Sequence, residues 1–198
     1  MTTRNSSTRA DVFDLLKDDH KRIKKAFRDY AKLDPDTDHE ARRQYVEQVC
    51  AHLERHATLE ETLFYPAART ALDDQGLVEE AEVEHDAAKA LILQVRATPP
   101  DHPRFAALFT VLGEYVKHHV KEEENDLFKQ ISRADIQWGE LLADMKARRA
   151  ELEREGEATP SAHTDHDLDQ DGHGARGAGT PLPPPRGTRS SQQHKVIR

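Results

Sequence analysis

Four histidines stand where apolar residues are expected on four amphipathic stretches of the chain. Each stretch repeats its apolar residues at intervals of three and four, which places them on one face of a helix. A buried imidazole on such a face needs a polar partner, because losing one costs about 1–3 kcal/mol. Carboxylates lie near several of these rings, and imidazole and carboxylate together are typical metal ligands. The four histidines are His20, His56, His85 and His119.

The second of these helices adds a carboxylate to its buried face. Glu60 lies one turn after His56 and continues the same apolar stripe, so both side chains are candidate ligands. Glu61 is rotated from Glu60 by about 100° around the helix, and we expect it to be solvated. His52 lies one turn before His56 but off the stripe, so it is not a candidate.

The fourth helix changes phase after its histidine. The stripe that leads to His119 resumes at Glu124, five residues later instead of three or four. A single π-bulge would supply this shift, and such insertions are frequent at functional sites. Glu124 is therefore the predicted ligand, and Glu123 takes its place if the helix is regular. In the alternative interpretation, these glutamates form a solvated acidic run and the histidine is hydrogen-bonded in the core.

Four histidines and two carboxylates from four helices give six nitrogen and oxygen ligands. This set suits iron, manganese or zinc rather than copper(I), and bridging carboxylates suit a pair of ions. Iron is the redox-active candidate. A ferritin-type carboxylate site would instead carry Glu-x-x-His on two helices, and only Glu82 with His85 fits that pattern. Glu82 is thus a further candidate ligand, and the ferritin-like site is the second hypothesis.

The predicted elements that position these residues are long helices joined by short loops. This pattern predicts an all-α, up-down-up-down four-helix bundle, with an extra C-terminal helix and a disordered tail. A kink or a break is expected at Pro66 in the second helix. The expected helices cover residues 10–33, 39–72, 77–97, 103–132 and 134–154, and the expected domains are a metal-binding bundle over 10–132, an additional helix over 133–155 and a Pro/Gly/His-rich tail over 156–198.

The composition limits the classes of partner and compartment. The net charge of -8 argues against a nucleic-acid partner, because phosphates favour a basic surface. Cys50 is the single cysteine, so no internal disulfide can form. The polar start of the chain has no signal-peptide pattern, and no apolar run approaches the ~20 residues of a membrane span. We therefore expect a cytoplasmic protein without a membrane partner.

These motifs resemble the hemerythrin-like, or HHE cation-binding, domain family over about residues 10–132. The resemblance rests on four blocks in order along the chain. They are Leu-Leu-Lys-Asp-Asp-His20, His56-Ala-Thr-Leu-Glu60-Glu-Thr-Leu-Phe-Tyr-Pro66, Glu84-His85, and His118-His119-Val-Lys-Glu-Glu-Glu124-Asn-Asp-Leu-Phe128.

The resemblance implies a non-haem di-iron centre. The terminal ligands would be His20, His56, His85 and His119, and Glu60 and Glu124 would bridge the two irons. Oxygen-carrying members use a fifth histidine one turn from the third helix's ligand, where this chain has Ala81 and Lys89. Either Glu82 or water is expected to take that place.

Three functions follow as hypotheses from this site. The first is a di-iron protein that binds O₂ or a related small molecule for sensing, storage or defence against oxidative stress. The second is an enzyme that acts on peroxide or nitric oxide at the same centre. The third is a metal-free interaction scaffold, in which the tail recruits a protein partner that the sequence does not identify.

Overall fold

A computed structural model describes residues 2–34 and 38–158, with side chains described for 7–34 and 38–156. Within these ranges the chain forms helices and turns and no strand. The tail predicted to be disordered lies outside the described residues from position 159 onward. The helices are α1 (Thr2–Tyr30), α2 (His39–Leu59), α3 (Tyr65–Ala71), α4 (Gly76–Arg96), α5 (Pro103–Glu122), α6 (Phe128–Ile131) and α7 (Trp138–Ala158).

Two π-helical turns interrupt the regular α-helical hydrogen bonding within long helical segments. The first π turn, Glu60–Phe64, joins α2 to α3, and the second, Glu123–Leu127, joins α5 to α6. Only an insertion in the second position was predicted from the sequence. In the first π turn, the Tyr65 N–H bonds the Glu60 carbonyl five residues back. The wider turn ends two residues before Pro66, which has no N–H for a regular α-helical ladder, and the helix continues through the proline as α3.

Local signals in the sequence set the helix starts that matter for the bundle. At the start of α2, the Asp38 carboxylate accepts a hydrogen bond from the Ala41 N–H at 3.0 Å, which caps the helix. At the start of α5, Pro103 takes the first helical position, where no hydrogen bond is lost. His102 Nδ1 accepts from the Arg104 N–H at 3.1 Å and completes that cap.

The helices α1, α2, α4 and α5 form the predicted four-helix bundle, and this prediction is confirmed. Each of the four packs against two neighbours in the cyclic order α1, α2, α4, α5. The additional helix α7 packs against α1 and α2. No helix among the described residues is long and apolar enough to cross a membrane.

A polar layer separates two apolar clusters inside the bundle. One cluster contains Phe64, Phe128 and Trp138, and the other contains Ile23 and Phe109. Residues of the two clusters flank each buried histidine along its helix, so the polar layer lies between the two apolar clusters. The buried polar residues are Asp19, His20, His56, Glu60, His85, His119 and Glu123.

Candidate metal centre

The four histidines predicted from the sequence meet in the polar layer as two pairs. Nε2 of His20 lies 3.1 Å from Nε2 of His56. Nε2 of His85 lies 3.1 Å from Nε2 of His119. Two nitrogens each bound at about 2.1 Å to one ion, at a right angle, lie about 3 Å apart. Each pair therefore has the spacing of two ligands on one metal ion.

Glu60 lies between the two histidine pairs. Its Oε2 is 3.2 Å from His56 Nε2 and 3.5 Å from His85 Nε2. The side chain is fully buried on the first π turn. The arrangement forms two candidate metal clusters that share this carboxylate, one with His20 and His56, the other with His85 and His119. Glu60 can thus bridge two ions.

The second carboxylate in the layer is Glu123, which differs from the sequence prediction of Glu124. Glu123 is 2% exposed, and its Oε2 lies 3.2 Å from His20 Nε2. The Glu124 side chain is 26% exposed and binds the outer nitrogen of His20. The predicted π insertion is present but begins at Glu123. Regular α-helical spacing from His119 therefore extends as far as Glu123 and turns it inward.

Three of the four imidazoles have an outer carboxylate on Nδ1. Glu124 is 2.9 Å from Nδ1 of His20, Glu61 is 2.8 Å from Nδ1 of His85, and Glu84 is 2.8 Å from Nδ1 of His119; these pairs share one geometry. An Nδ1–H that donates outward leaves the Nε2 lone pair directed into the layer, as metal-binding histidines require.

The fourth imidazole has a longer outer contact. Nδ1 of His56 lies 3.9 Å from the buried carboxylate of Asp19, which Arg149 of α7 binds at 2.7 Å. Helix α7 therefore reaches the outer side of the centre through this ion pair.

The electrostatics of the layer favour positive charge at its middle. Burial alone lowers the pKa of His20, but hydrogen bonds with Glu123, Glu124 and Glu60 raise it to about 11. Burial raises the pKa of the Glu60 carboxyl, yet the surrounding histidines hold it below its ordinary value. A cation bound by Nε2 must displace the imidazole proton, and it would then supply the charge that these carboxylates need.

Unpartnered polar atoms test whether these residues fit a metal. Both carboxylate oxygens of Glu60 and Oε2 of Glu123 are buried, and their neighbours are the imidazole nitrogens of the layer at 3.2–3.8 Å, in contacts without hydrogen-bond geometry. Buried carboxylates in this position are strongly destabilising unless a cation compensates them. The donor set is imidazole and carboxylate, with no thiolate in the layer, as iron, manganese or zinc prefer. The residues fit a pair of such ions.

Tyr65 is a site residue that sequence reasoning did not select. Its hydroxyl donates to Oε1 of Glu123 at 3.2 Å and lies 3.4 Å from Nε2 of His85. Burial raises the pKa of the Tyr65 phenol well above its ordinary value, and the nearby Glu123 and Glu60 raise it further. The phenol therefore stays protonated and can hold a proton beside the second histidine pair. In the sequence, the only signal for Tyr65 as a site residue was its position next to Pro66 in the second motif.

Two other carboxylates lie where the sequence analysis did not place them. Glu82 is directed away from the layer, since Arg69 binds its carboxylate at 2.7 Å and 38% of the side chain is exposed. The geometry therefore gives no support to Glu82 in place of a fifth histidine or to the ferritin-like pattern, and both stay predictions. Glu61 was expected to be solvated, but it binds His85 and Lys89, because the first π turn changes the direction of the residues after Glu60.

Residues 11–131 match the family described as the hemerythrin HHE cation-binding domain. The chain belongs to this family. The hemerythrin-like resemblance predicted from the sequence is confirmed, and with it membership of a family of cation-binding domains.

Comparison with individual proteins gives two matches. A crystal structure of an HHE cation-binding domain-containing protein from Mycobacterium kansasii superposes with a TM-score of 0.61 at 24% identity, covering 72% of this chain and 87% of that one. This match supports the fold. A protein named DNA nickase from Nostoc sp. (strain PCC 7120) is 28% identical over 155 residues, which is 75% of this chain. The chain spans 42% of the length of that relative.

Proposed function

We propose that this HHE domain holds two iron ions and binds O₂ or a related small molecule in the space beside the histidines of the centre. The observation that carries the proposal is the pair of histidine clusters that share Glu60. Their six inner ligands would be the four histidines with Glu60 and Glu123. A reduced iron pair would supply the electrons with which such a molecule is bound or reduced.

The space beside the histidines limits the size of the ligand. A cavity of about 30 Å³ lies against His56, His85 and His119, and its walls are mainly aliphatic. A water molecule needs roughly 10–15 Å³ by this measure and two to four polar partners. The cavity accommodates a diatomic molecule and offers few groups to bind water. This size and polarity favour O₂ or nitric oxide over an organic substrate.

The remaining residues would hold the centre and manage protons. The outer carboxylates Glu61, Glu84 and Glu124 fix the orientation of three imidazoles. The apolar clusters on both sides exclude bulk water from the layer. These contacts support reversible binding, for which the ligand must be kept away from solvent protons.

The Tyr65 hydroxyl supports a second candidate function, the turnover of peroxide or nitric oxide. Reduction of either molecule consumes protons, and this phenol is a buried donor at the centre. Because its pKa is raised, the hydroxyl would keep its proton and act as a hydrogen-bond donor to the oxygen on which negative charge develops. Loss of one positioned donor of this kind costs roughly 100-fold or more in rate.

The DNA-nickase relative does not extend the proposal to DNA. The matched part is less than half of that protein, and this chain carries a net charge of -8. The absence of a nucleic-acid partner stays a prediction.

Alternating exposure to O₂ and to nitrogen separates the two functions. We expect the optical spectrum of the reduced, iron-loaded full chain to change with O₂ and to return under nitrogen over several cycles, with slow or no consumption of added peroxide. Steady consumption of peroxide, slowed about 100-fold in Tyr65→Phe at equal iron content, would instead assign the enzyme. No spectral response of the iron to O₂, peroxide or nitric oxide would contradict both.

A further inference from the structure

An acidic cavity leads to the second histidine pair from outside the bundle. It has a volume of about 110 Å³ and lies between α4 and the end of α5 with the second π turn. No lysine or arginine lines it, and its apolar lining is limited to leucine and alanine. Its carboxylates are Glu80, Glu84, Glu122, Glu123 and Asp126. A cleft lined by charges of one sign raises the local concentration of the opposite ion.

The inner end of this cavity is the proposed metal centre itself. Glu123 and His119 both line it, and Glu123 is 2% exposed with an unpartnered Oε2. A cation inside the cavity would therefore lie beside one of the unpartnered carboxylates of the layer. The cavity connects surface carboxylates to inner ligands.

A separate group of ligands combines two residues that line this cavity, Glu84 and Glu122, with the exposed His118 beside them. His118 Nε2 lies 3.2 Å from Oε1 of Glu122 and 4.0 Å from Oε1 of Glu84. The three residues offer ligand atoms that all lie within 4.8 Å of one another. The second oxygen of Glu84 accepts from Nδ1 of His119. One carboxylate thus touches both the outer group and an inner histidine.

We propose that Glu84, His118 and Glu122 form a docking site for a divalent cation at the mouth of an uptake path to the metal centre. The inference rests on the metal centre of the proposed function. One imidazole and two carboxylates suit Fe²⁺, Mn²⁺ or Co²⁺. The His118 side chain is 61% exposed, so the ion keeps water ligands there and is held weakly enough to move inward.

The charges of the neighbouring surfaces favour this path over two others. A cavity between α1, α2 and α7 is lined by Arg22, Arg55 and Arg149 against two carboxylates. A depression that His118 also lines carries three lysines, Lys24, Lys117 and Lys121, against two carboxylates. Both surfaces repel a cation relative to the acidic cavity.

The rate of Co²⁺ uptake by the full chain, after its metal has been removed, tests the path. Co²⁺ is the probe because its ligand-field absorption reports the inner site and air does not readily oxidise it. We expect the double variant His118→Ala/Glu122→Gln to load about tenfold more slowly in a stopped-flow experiment at low salt, with an unchanged final Co²⁺ content. Added salt should reduce the difference, because it screens the charges of the mouth.

Asp86→Asn is the matched control. Like the double variant, it removes one negative charge, and Asp86 lies in α4 two residues after Glu84. Its side chain is 80% exposed and lies near Lys89, so it is not part of the proposed docking site. Its loading rate should equal that of the unchanged chain. Equal rates for the double variant and the unchanged chain would overturn the path. A lower final Co²⁺ content in the double variant would overturn it too, because the cluster would then act in the centre. If the unchanged chain binds no Co²⁺, the metal centre of the proposed function fails as well.

Discussion

Replacing Glu60 with alanine should abolish the binding of both metal ions. Glu60 is the carboxylate shared by the two histidine clusters, and both of its oxygens lack any other partner. Loss of an outer hydrogen-bond partner alone costs about 10–100-fold in metal affinity, so loss of a shared inner ligand should cost more. Elemental analysis of the purified variant measures the effect. Melting temperature is a poor readout, because the apolar clusters hold the bundle and an uncompensated buried carboxylate has been removed.

Two residues on the same continuous helix provide graded controls. His52→Ala should keep the full metal content, because this side chain is 30% exposed and its ion-pair partner at 3.8 Å is Asp19, which is not an inner ligand. Glu61→Ala should fall between the two, with a loss of about 10–100-fold in affinity, because Glu61 orients His85. Full metal content in Glu60→Ala would show that the proposed bridge is not a ligand.

Glu123→Ala should lose metal more severely than Glu124→Ala. Glu123 is buried, lies 3.2 Å from Nε2 of His20 and is held by the Tyr65 hydroxyl. Glu124 contacts the outer nitrogen of His20 and also Lys24 at 3.2 Å. At excess iron, Glu124→Ala should still reach the full iron content, whereas Glu123→Ala should not. Titration of the two metal-depleted variants with Fe²⁺ under nitrogen gives both the affinity and the final content.

The reverse order of metal loss would support Glu124, the ligand predicted from the apolar spacing of the fourth helix. If Glu124→Ala loses the metal and Glu123→Ala keeps it, the π insertion lies before Glu124 and the bridging residue is the one that the sequence spacing selected. Full iron content in both variants would show that neither Glu123 nor Glu124 is an inner ligand.

The bundle and its histidines could be predicted because regular helices fix side-chain direction. His20, His56 and His85 lie in helices with unbroken spacing, so apolar neighbours three and four residues away identify their buried face. Glu60 could be predicted for the same reason, since it is the first residue of the first π turn and still follows the regular spacing from His56.

The residues that follow an insertion could not be placed with the same rule. A π turn adds a residue and rotates everything after it by about 100°, but the spacing does not reveal where the addition occurs. The sequence analysis therefore selected Glu124 as the inner carboxylate, whereas the structure places Glu123 there. The same effect turned Glu61 toward His85. Tyr65 was overlooked because an aromatic residue next to a proline in an apolar run is normally a core residue.

Elemental analysis of the full chain, purified without added metal, tests the central claim most directly. The six inner ligands are more than the four that one tetrahedral zinc takes, and they form two clusters around one carboxylate. The account predicts about two irons per chain. A preparation with one tightly bound zinc per chain and no iron would contradict it.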